Sequence, residues 1–101
     1  MTDRRVALVT GAAGGMGTAI VAALARDGYD VVGLDVAPLT APCVEAHVVD
    51  VRDGTALRGL AADVVARRGR LDAVVAAAAV VGGGSPLWAT PDEVLDELWE
   101  V

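Results

Sequence analysis

A glycine-rich stretch near the start of the chain, VALVTGAAGGMG at residues 6–17, constrains the fold more than any other feature. The apolar run over 6–10 is typical of a strand buried on both faces, as in a parallel sheet. A helix-like pattern begins at Gly15, inside the glycine cluster. Four glycines fall within seven positions, namely Gly11, Gly14, Gly15 and Gly17. A strand that passes through a glycine turn into a helix predicts a parallel α/β sheet.

The rest of the chain continues this alternation of apolar runs and helix-like segments. The pattern predicts strands at 6–10, 31–35, 44–49 and 71–81, helices at 15–26, at 55–68 and from Thr90 onward, and loops at 37–42 and 82–86. Asp27-Gly28 and Gly69 mark the ends of the first two helices. The predicted fold is a three-layer α/β fold with helices on both faces of the sheet, in the order β-α-β-β-α-β-α.

The last predicted helix has boundary signals and one apolar face. Thr90-Pro91-Asp92-Glu93 provides an N-cap threonine, a proline in the first turn and a capping-box glutamate. Five apolar side chains then recur at helical spacing, and we expect such a stripe to pack into the core. They are Val94, Leu95, Leu98, Trp99 and Val101.

Composition and charge exclude several classes of protein. With 101 residues, 54% of them hydrophobic, the chain can form one small domain with a core. The formal net charge of -6 argues against a nucleic-acid partner. The sequence has neither the layout of a signal peptide nor an apolar run of membrane-spanning length, so we expect no membrane partner. Cys43 is the single cysteine, which excludes an internal disulfide and suits a cytoplasmic protein.

The glycine cluster has a chemical use beyond the turn. A helix N-terminus offers unpaired N–H groups and a partial positive charge, and both suit a pyrophosphate. Asp35 ends the second predicted strand 24 positions after Gly11, near the spacing at which a carboxylate reaches the adenosine ribose of a dinucleotide. A carboxylate there repels a 2′-phosphate, and neither Gly14 nor Val36 supplies a compensating positive charge. The sequence therefore favours NAD over NADP.

These residues resemble the fingerprint of the short-chain dehydrogenases/reductases. The pattern Thr-Gly-x-x-x-Gly-x-Gly of that family is present as TGAAGGMG at 10–17. The resemblance implies a Rossmann-like sheet, an NAD cofactor and a small-molecule alcohol or carbonyl substrate. The cofactor-binding residues it implies are Gly11, Gly15, Met16 and Gly17 in the loop, Asp35 at the ribose, and Asp50 and Val51 at the adenine, with the Asp50 carboxylate near the exocyclic amine. Without the resemblance, Asp50 is a turn residue before a helix.

A second branch of the family fits part of the same pattern. Extended, epimerase-like relatives carry Thr-Gly-x-x-Gly-x-x-Gly, which Gly11, Gly14 and Gly17 also satisfy. The 22 positions between Asp50 and Asp72 leave room for the fuller helix of the short, single-domain branch. The resemblance therefore favours the short branch.

The end of the fourth strand departs from the short branch. That branch has Asn-Asn-Ala-Gly where this chain has four alanines at 76–79, although backbone groups of Ala77 and Ala78 could still face the ribose. An alanine-rich version followed by a glycine loop and Pro86-Leu87-Trp88 is similar to the subgroup described as mycofactocin-coupled. In that subgroup the nicotinamide stays bound and a separate redox partner recycles it.

Hydride transfer in this family needs residues that this sequence does not contain. A Tyr-x-x-x-Lys pair, a serine and an asparagine carry the chemistry, and the 101 residues include no lysine. We expect Tyr29 to be a packing or surface residue, Ser85 to lie in a loop, and His47 to be an ordinary strand residue. One histidine and one cysteine make no metal-ligand set, so we predict neither a catalytic residue nor a metal site.

The resemblance thus implies that residues 1–101 are the N-terminal half of a Rossmann-like NAD-binding domain, truncated before the catalytic half and inactive alone. We expect the full-length parent to be a homo-oligomeric dehydrogenase. The isolated half is expected to be weakly folded or self-associating, because it leaves an apolar sheet edge uncovered. Three alternatives stay open: a non-catalytic dinucleotide-binding module or remnant, an extended epimerase-like relative, and a Rossmann-like domain that binds no nucleotide.

Overall fold

The computed structural model describes residues 3–80 and 84–101. Its strands are β1 Val6–Thr10, β2 Asp30–Asp35, β3 Glu45–Val48 and β4 Ala73–Ala76, and its helices are α1 Gly15–Arg26, α2 Gly54–Arg68 and α3 Asp92–Glu100, with a 3₁₀ turn at Leu87–Ala89. This order confirms the predicted β-α-β-β-α-β-α succession. β1 and α1 have the predicted bounds, and β2, β3 and α2 differ from them by one residue at one or both ends.

The four strands form a parallel sheet in the order β3-β2-β1-β4. Side chains of a strand alternate between the two faces of the sheet. Val9 accordingly packs against Val21 of α1, whereas Val6 packs against Val64 of α2. The sheet therefore lies between two helical layers, which confirms the predicted Rossmann-like architecture. All of β1 is buried at the centre, as its continuous apolar run predicted.

The fourth apolar run is a strand over only part of its predicted length. β4 ends at Ala76, because the Ala78 amide donates to the Thr10 side-chain oxygen at 3.2 Å instead of continuing the ladder. Residues 77–80 consequently leave the sheet beside the end of β1. Val81 and the predicted loop residues Gly82 and Gly83 lie outside the described residues.

The predicted N-cap and core stripe of the last helix were both wrong. α3 begins at Asp92 with Pro91 at the N-cap position, and the Thr90 hydroxyl donates to the Pro86 carbonyl at 3.0 Å. Pro91 explains the shift, since a residue that precedes proline is driven to extended backbone, here with ψ 126° at Thr90. No residue of α3 is buried, and Trp99 is 91% exposed. Within the described residues β4 is the sheet edge, so no further strand receives this face.

A cluster of charges connects α2 to β3 at the end of the sheet opposite the glycine loop. The Glu45 carboxylate accepts hydrogen bonds from Arg67 and Arg68 of α2 and contacts the His47 ring at 3.0 Å. These contacts, above all the one from Arg67, lower the pKa of Glu45 to about 2. His47 is thus a strand residue in an ion-pair cluster.

We expect Glu45→Gln to destabilise the fold at neutral pH, and we expect this cost in stability to shrink as the pH falls to 3. A carboxylate whose folded-state pKa is depressed stabilises the fold fully above its unfolded pKa of about 4.5 and loses that contribution as the pH falls toward 2. The loss at pH 7 should be about 1–2 kcal/mol, because solvent screens the half-exposed guanidinium partners. Thermal unfolding of both proteins between pH 7 and pH 3 checks this. Glu93→Gln, at an exposed glutamate of α3, is the control. If the stability difference between wild type and Glu45→Gln stayed constant from pH 7 to pH 3, the prediction would be contradicted.

Candidate functional site

A cleft opens at the carboxyl ends of the parallel strands, on both sides of the end of β1. In the strand order β3-β2-β1-β4, β2 and β3 are added on one side of β1 and β4 on the other side. Parallel sheets of this kind bind ligands at the point where the strand order reverses. The cavity has a volume of about 330 Å³. Its lining comes from the glycine loop, the ends of β2 and β3, the segment after β4, and α3: Gly11, Gly14, Asp35, Val36, Val49, Asp50, Val51, Arg52, Ala77, Ala78, Ala79, Val80, Glu97 and Val101.

Gly11 and Gly17 are required by the fold of the loop itself. Gly11 has a φ of +66°, and a Cβ there would lie 2.6 Å from the Ala77 carbonyl oxygen. A Cβ at Gly17, which is buried, would collide with the Gly11 carbonyl oxygen. Because both obstacles are backbone atoms, no side-chain rotation relieves them. The loop therefore packs β1, α1 and the segment after β4 at distances that only glycine permits.

Gly15 is different, because nothing in the fold fills the space beside it. A Cβ at Gly15 would meet no atom within 4 Å, and one at Gly14 would meet only the Gly11 carbonyl oxygen, at 3.4 Å. Gly14 is the N-cap of α1 and has no side chain to accept from the first N–H groups of the helix. Met16 is 74% exposed beside them. The start of α1 thus presents uncapped donors in open space, and a phosphate fits there.

Asp35 connects the end of β2 to the glycine loop. One carboxylate oxygen accepts from the Ala13 amide at 3.0 Å, and the other accepts from the Ala37 amide at 3.0 Å. Each oxygen keeps a lone pair for a further donor. The half-buried Asp35 side chain lines the cleft, so its carboxylate can both hold the loop and accept from ligand hydroxyls.

Asp50 and Val51 follow β3 and line the same cleft. Their neighbour Arg52 binds Asp50 closely: Nη2 lies 2.7 Å from Oδ2, Nε lies 3.1 Å from both carboxylate oxygens, and the Arg52 amide donates to Oδ1 at 2.9 Å. The Arg52 side chain is the main reason that the pKa of Asp50 is lowered to about 2. Sequence reasoning missed Arg52, although an arginine two residues after an aspartate at a strand end was a signal for this pair.

The alanines after β4 form the wall opposite Asp35. Ala77 and Ala78 line the cleft, and the Ala78 amide is held by the Thr10 side chain. The Ala77 carbonyl is the group that Gly11 approaches. Thr10 and Gly11 thereby attach this segment to β1 without the asparagine amides of the short branch.

Other chemically active side chains are not brought to the cleft. Tyr29 lies just before β2, at the far end of the sheet, where the Arg5 guanidinium stacks 4.3 Å from the ring centroid. Cys43 is half-buried against the core, and burial raises the pKa of its thiol. Ser85 is exposed. Within residues 3–80 and 84–101, no three histidine, cysteine, aspartate or glutamate side chains are grouped to hold a metal ion, and no helix is long and apolar enough to cross a membrane.

Fold and cleft together define a Rossmann-type domain of the kind that binds dinucleotides where the strand order reverses. The chain belongs to the NAD dependent epimerase/dehydratase family, whose family model matches residues 7–100. A putative short-chain type dehydrogenase/reductase of Mycolicibacterium smegmatis is also similar, with 31% identity over 95% of this chain and 43% of the relative, which confirms the resemblance of the glycine fingerprint to the short-chain dehydrogenases/reductases.

Curated relatives and solved structures agree with this assignment. An uncharacterized NAD-dependent oxidoreductase of Mycobacterium tuberculosis is 42% identical over 120 residues, which cover 95% of this chain and 42% of the relative. The 1-deoxy-11-beta-hydroxypentalenate dehydrogenase of Streptomyces arenae is 39% identical, covering 99% of this chain and 40% of the relative. The crystal structure of carveol dehydrogenase from Mycobacterium avium in complex with NAD superposes with a TM-score of 0.83 at 28% identity, over 95% of this chain and 43% of that one. The chain thus spans about two fifths of the length of these relatives.

Proposed function

We propose that this chain is the NAD-binding part of an NAD-dependent oxidoreductase that transfers hydride between NAD and an alcohol or carbonyl compound. The observation that carries this proposal is the open space at Gly15, before the uncapped start of α1 and in the same loop that Asp35 holds. The fold has no packing reason for glycine at this position, whereas a bound pyrophosphate supplies one. The names of the relatives support the same activity for the whole protein.

Four parts of the dinucleotide have a matching group in the cleft or beside it, since Gly15, Met16 and Gly17 adjoin the cleft at Gly14 but do not line it. The pyrophosphate would lie at the start of α1, near Gly15, Met16 and Gly17. Asp35 would accept hydrogen bonds from the adenosine ribose, and Asp50 and Val51 would hold the adenine. Backbone groups of Ala77 and Ala78 would face the second ribose. When bound, NAD accepts or donates a hydride at its nicotinamide ring, and the residues of this chain bind and orient it.

The whole protein is proposed to be a short-branch, homo-oligomeric, cytoplasmic dehydrogenase in which residues 1–101 precede the catalytic residues. The relatives named above are an oxidoreductase and dehydrogenases, which supports the short branch, whereas the matching family model describes epimerases and dehydratases and supports the epimerase-like branch. Membership of the mycofactocin-coupled subgroup stays a prediction. The second candidate function is a non-catalytic dinucleotide-binding module, in which the same cleft binds NAD and no hydride is transferred. A dehydrogenase assay of the longer gene product separates the two, because only the first candidate produces NADH.

We expect the chain to bind NAD and to bind NADP at least tenfold more weakly. The Asp35 carboxylate would repel the 2′-phosphate, and Val36, the next residue along, is an exposed apolar side chain that cannot compensate the charge. Isothermal titration calorimetry with each nucleotide measures the ratio. Equal affinities would contradict the assignment of Asp35 to the ribose, and no heat with either nucleotide would contradict the proposed function itself.

A further inference from the structure

Arg52 has a position in the cleft that the proposed binding of NAD does not yet use. The charged side chains that line the cavity in the described parts of the chain are Asp35, Asp50, Glu97 and Arg52. Three of these are carboxylates, and an NAD molecule adds the negative charge of its pyrophosphate. Arg52 is the one positive side chain among the lining residues, so its charge decides whether this end of the cleft repels an anionic ligand.

The Arg52 guanidinium also joins two separate parts of the cleft wall. Its Nε and Nη2 groups hold the Asp50 carboxylate, and its Nη1 group lies 3.7 Å from Oε2 of Glu100 in α3. The hydrogen bonds to Asp50, and with them the nearby negative charges of Asp50, Glu100 and Glu97, raise the pKa of Arg52. One side chain therefore orients the proposed adenine-binding carboxylate and contacts α3.

The charges of α3 explain why this contact matters. The last turn of α3 contains Glu97 and Glu100 and no basic residue, although a helix C-terminus carries a partial negative charge and favours cations. α3 has no buried residue that would hold it by packing. The helix end lacks a positive charge of its own, and Arg52, which lies in the connection between β3 and α2, supplies one. Glu97 and Val101 of α3 line the cleft, so the position of the helix end shapes the site.

We propose that Arg52 is a positioning residue of the adenine end of the cleft: it neutralises the surrounding carboxylates, orients Asp50 and holds the end of α3 at the site. This inference rests on the proposed binding of NAD. It predicts that Glu100 has opposite effects in two backgrounds. With Arg52 present, Glu100 helps to hold the guanidinium; with Arg52 removed, Glu100 is an unbalanced negative charge that repels the ligand.

The test is the affinity of the chain for ADP-ribose, measured by calorimetry at low and high salt. Arg52→Ala should weaken binding about tenfold, Arg52→Lys should restore part of the loss, and Glu100→Gln alone should weaken binding about twofold. The double variant Arg52→Ala/Glu100→Gln should bind about threefold more tightly than Arg52→Ala alone. The difference between wild type and Arg52→Ala should shrink at high salt, because salt screens exposed charges. Arg58→Ala is the matched control, since Arg58 is exposed on α2 and does not line the cavity.

Each outcome has one meaning. If Arg52→Ala binds ADP-ribose as well as or better than wild type, Arg52 merely competes with adenine for Asp50 and the inference is overturned. The inference also fails if Glu100→Gln does not improve binding in the Arg52→Ala background, because a merely structural role of Arg52 predicts no such rescue. If the wild-type chain binds neither ADP-ribose nor NAD, the proposed function fails and this inference fails with it. Thermal unfolding of each variant confirms that the proteins compared are folded.

Discussion

Replacing Gly17 by alanine is expected to destabilise the chain severely and to abolish measurable NAD binding. The added Cβ would overlap the Gly11 carbonyl oxygen, a backbone atom that no rotamer change can move. The first turn of α1 must then shift away from the loop, at a cost of about 3 kcal/mol or more. A complete native domain has a free energy of unfolding of only about 5–15 kcal/mol, and we expect less for this half with its uncovered sheet edge. Thermal unfolding followed by circular dichroism, together with calorimetry against NAD, measures both effects.

Gly15→Ala is the matched control because it makes the same chemical change two residues earlier in the same helix. Its Cβ would enter open space, and alanine is the better helix former by about 0.5–1 kcal/mol. We therefore expect an unchanged or raised unfolding temperature together with NAD binding at least tenfold weaker, since the methyl group would occupy the proposed phosphate site. Unchanged NAD binding by Gly15→Ala would remove the main support for a phosphate at this loop. An unfolding temperature unaffected by Gly17→Ala would contradict the loop conformation.

The first half of the fold could be predicted from the sequence because its signals are local. β1 is a buried apolar run, and α1 begins within the glycine cluster and ends at Arg26, with Asp27 as its C-cap, followed by Gly28 with a φ of +92°. Gly69 ends α2 in the same way, with a φ of +83°. A backbone position with positive φ accepts few residues other than glycine, so a glycine after a helix-like segment predicts the helix end reliably.

The later elements depend on contacts that local patterns do not encode. β4 stops at Ala76 because Thr10 captures the Ala78 amide, a contact between residues far apart in the sequence. The apolar stripe of α3 has the spacing of a core helix, yet Trp99 is exposed because burial also requires a surface that receives the helix. The contact of Arg52 with Glu100 could not be predicted for the same reason, since it exists only after the chain has folded.

Asp35→Asn is expected to weaken NAD binding about 10- to 100-fold while leaving the fold largely intact. The ribose hydroxyls that Asp35 is proposed to bind would lose a charged acceptor, and a hydrogen bond to a charged group contributes about 1.5–3 kcal/mol. The asparagine amide keeps one oxygen that can accept from the Ala13 amide, so the glycine loop should stay attached to β2. Calorimetry with NAD and NADP, beside a thermal unfolding measurement, checks both parts.

The same substitution should also change the preference between the two nucleotides, and this is the sharper result. Removing the carboxylate removes the repulsion of a 2′-phosphate, so the ratio of NADP to NAD affinity should rise even as NAD binding weakens. Asp63→Asn is the control, because Asp63 is an exposed aspartate of α2 whose ion pair with Arg67 lies away from the cleft. If Asp35→Asn lowered both affinities equally and also lowered the unfolding temperature, Asp35 would act only as the anchor of the loop. A changed ratio at an unchanged unfolding temperature is expected only if its carboxylate faces the ribose.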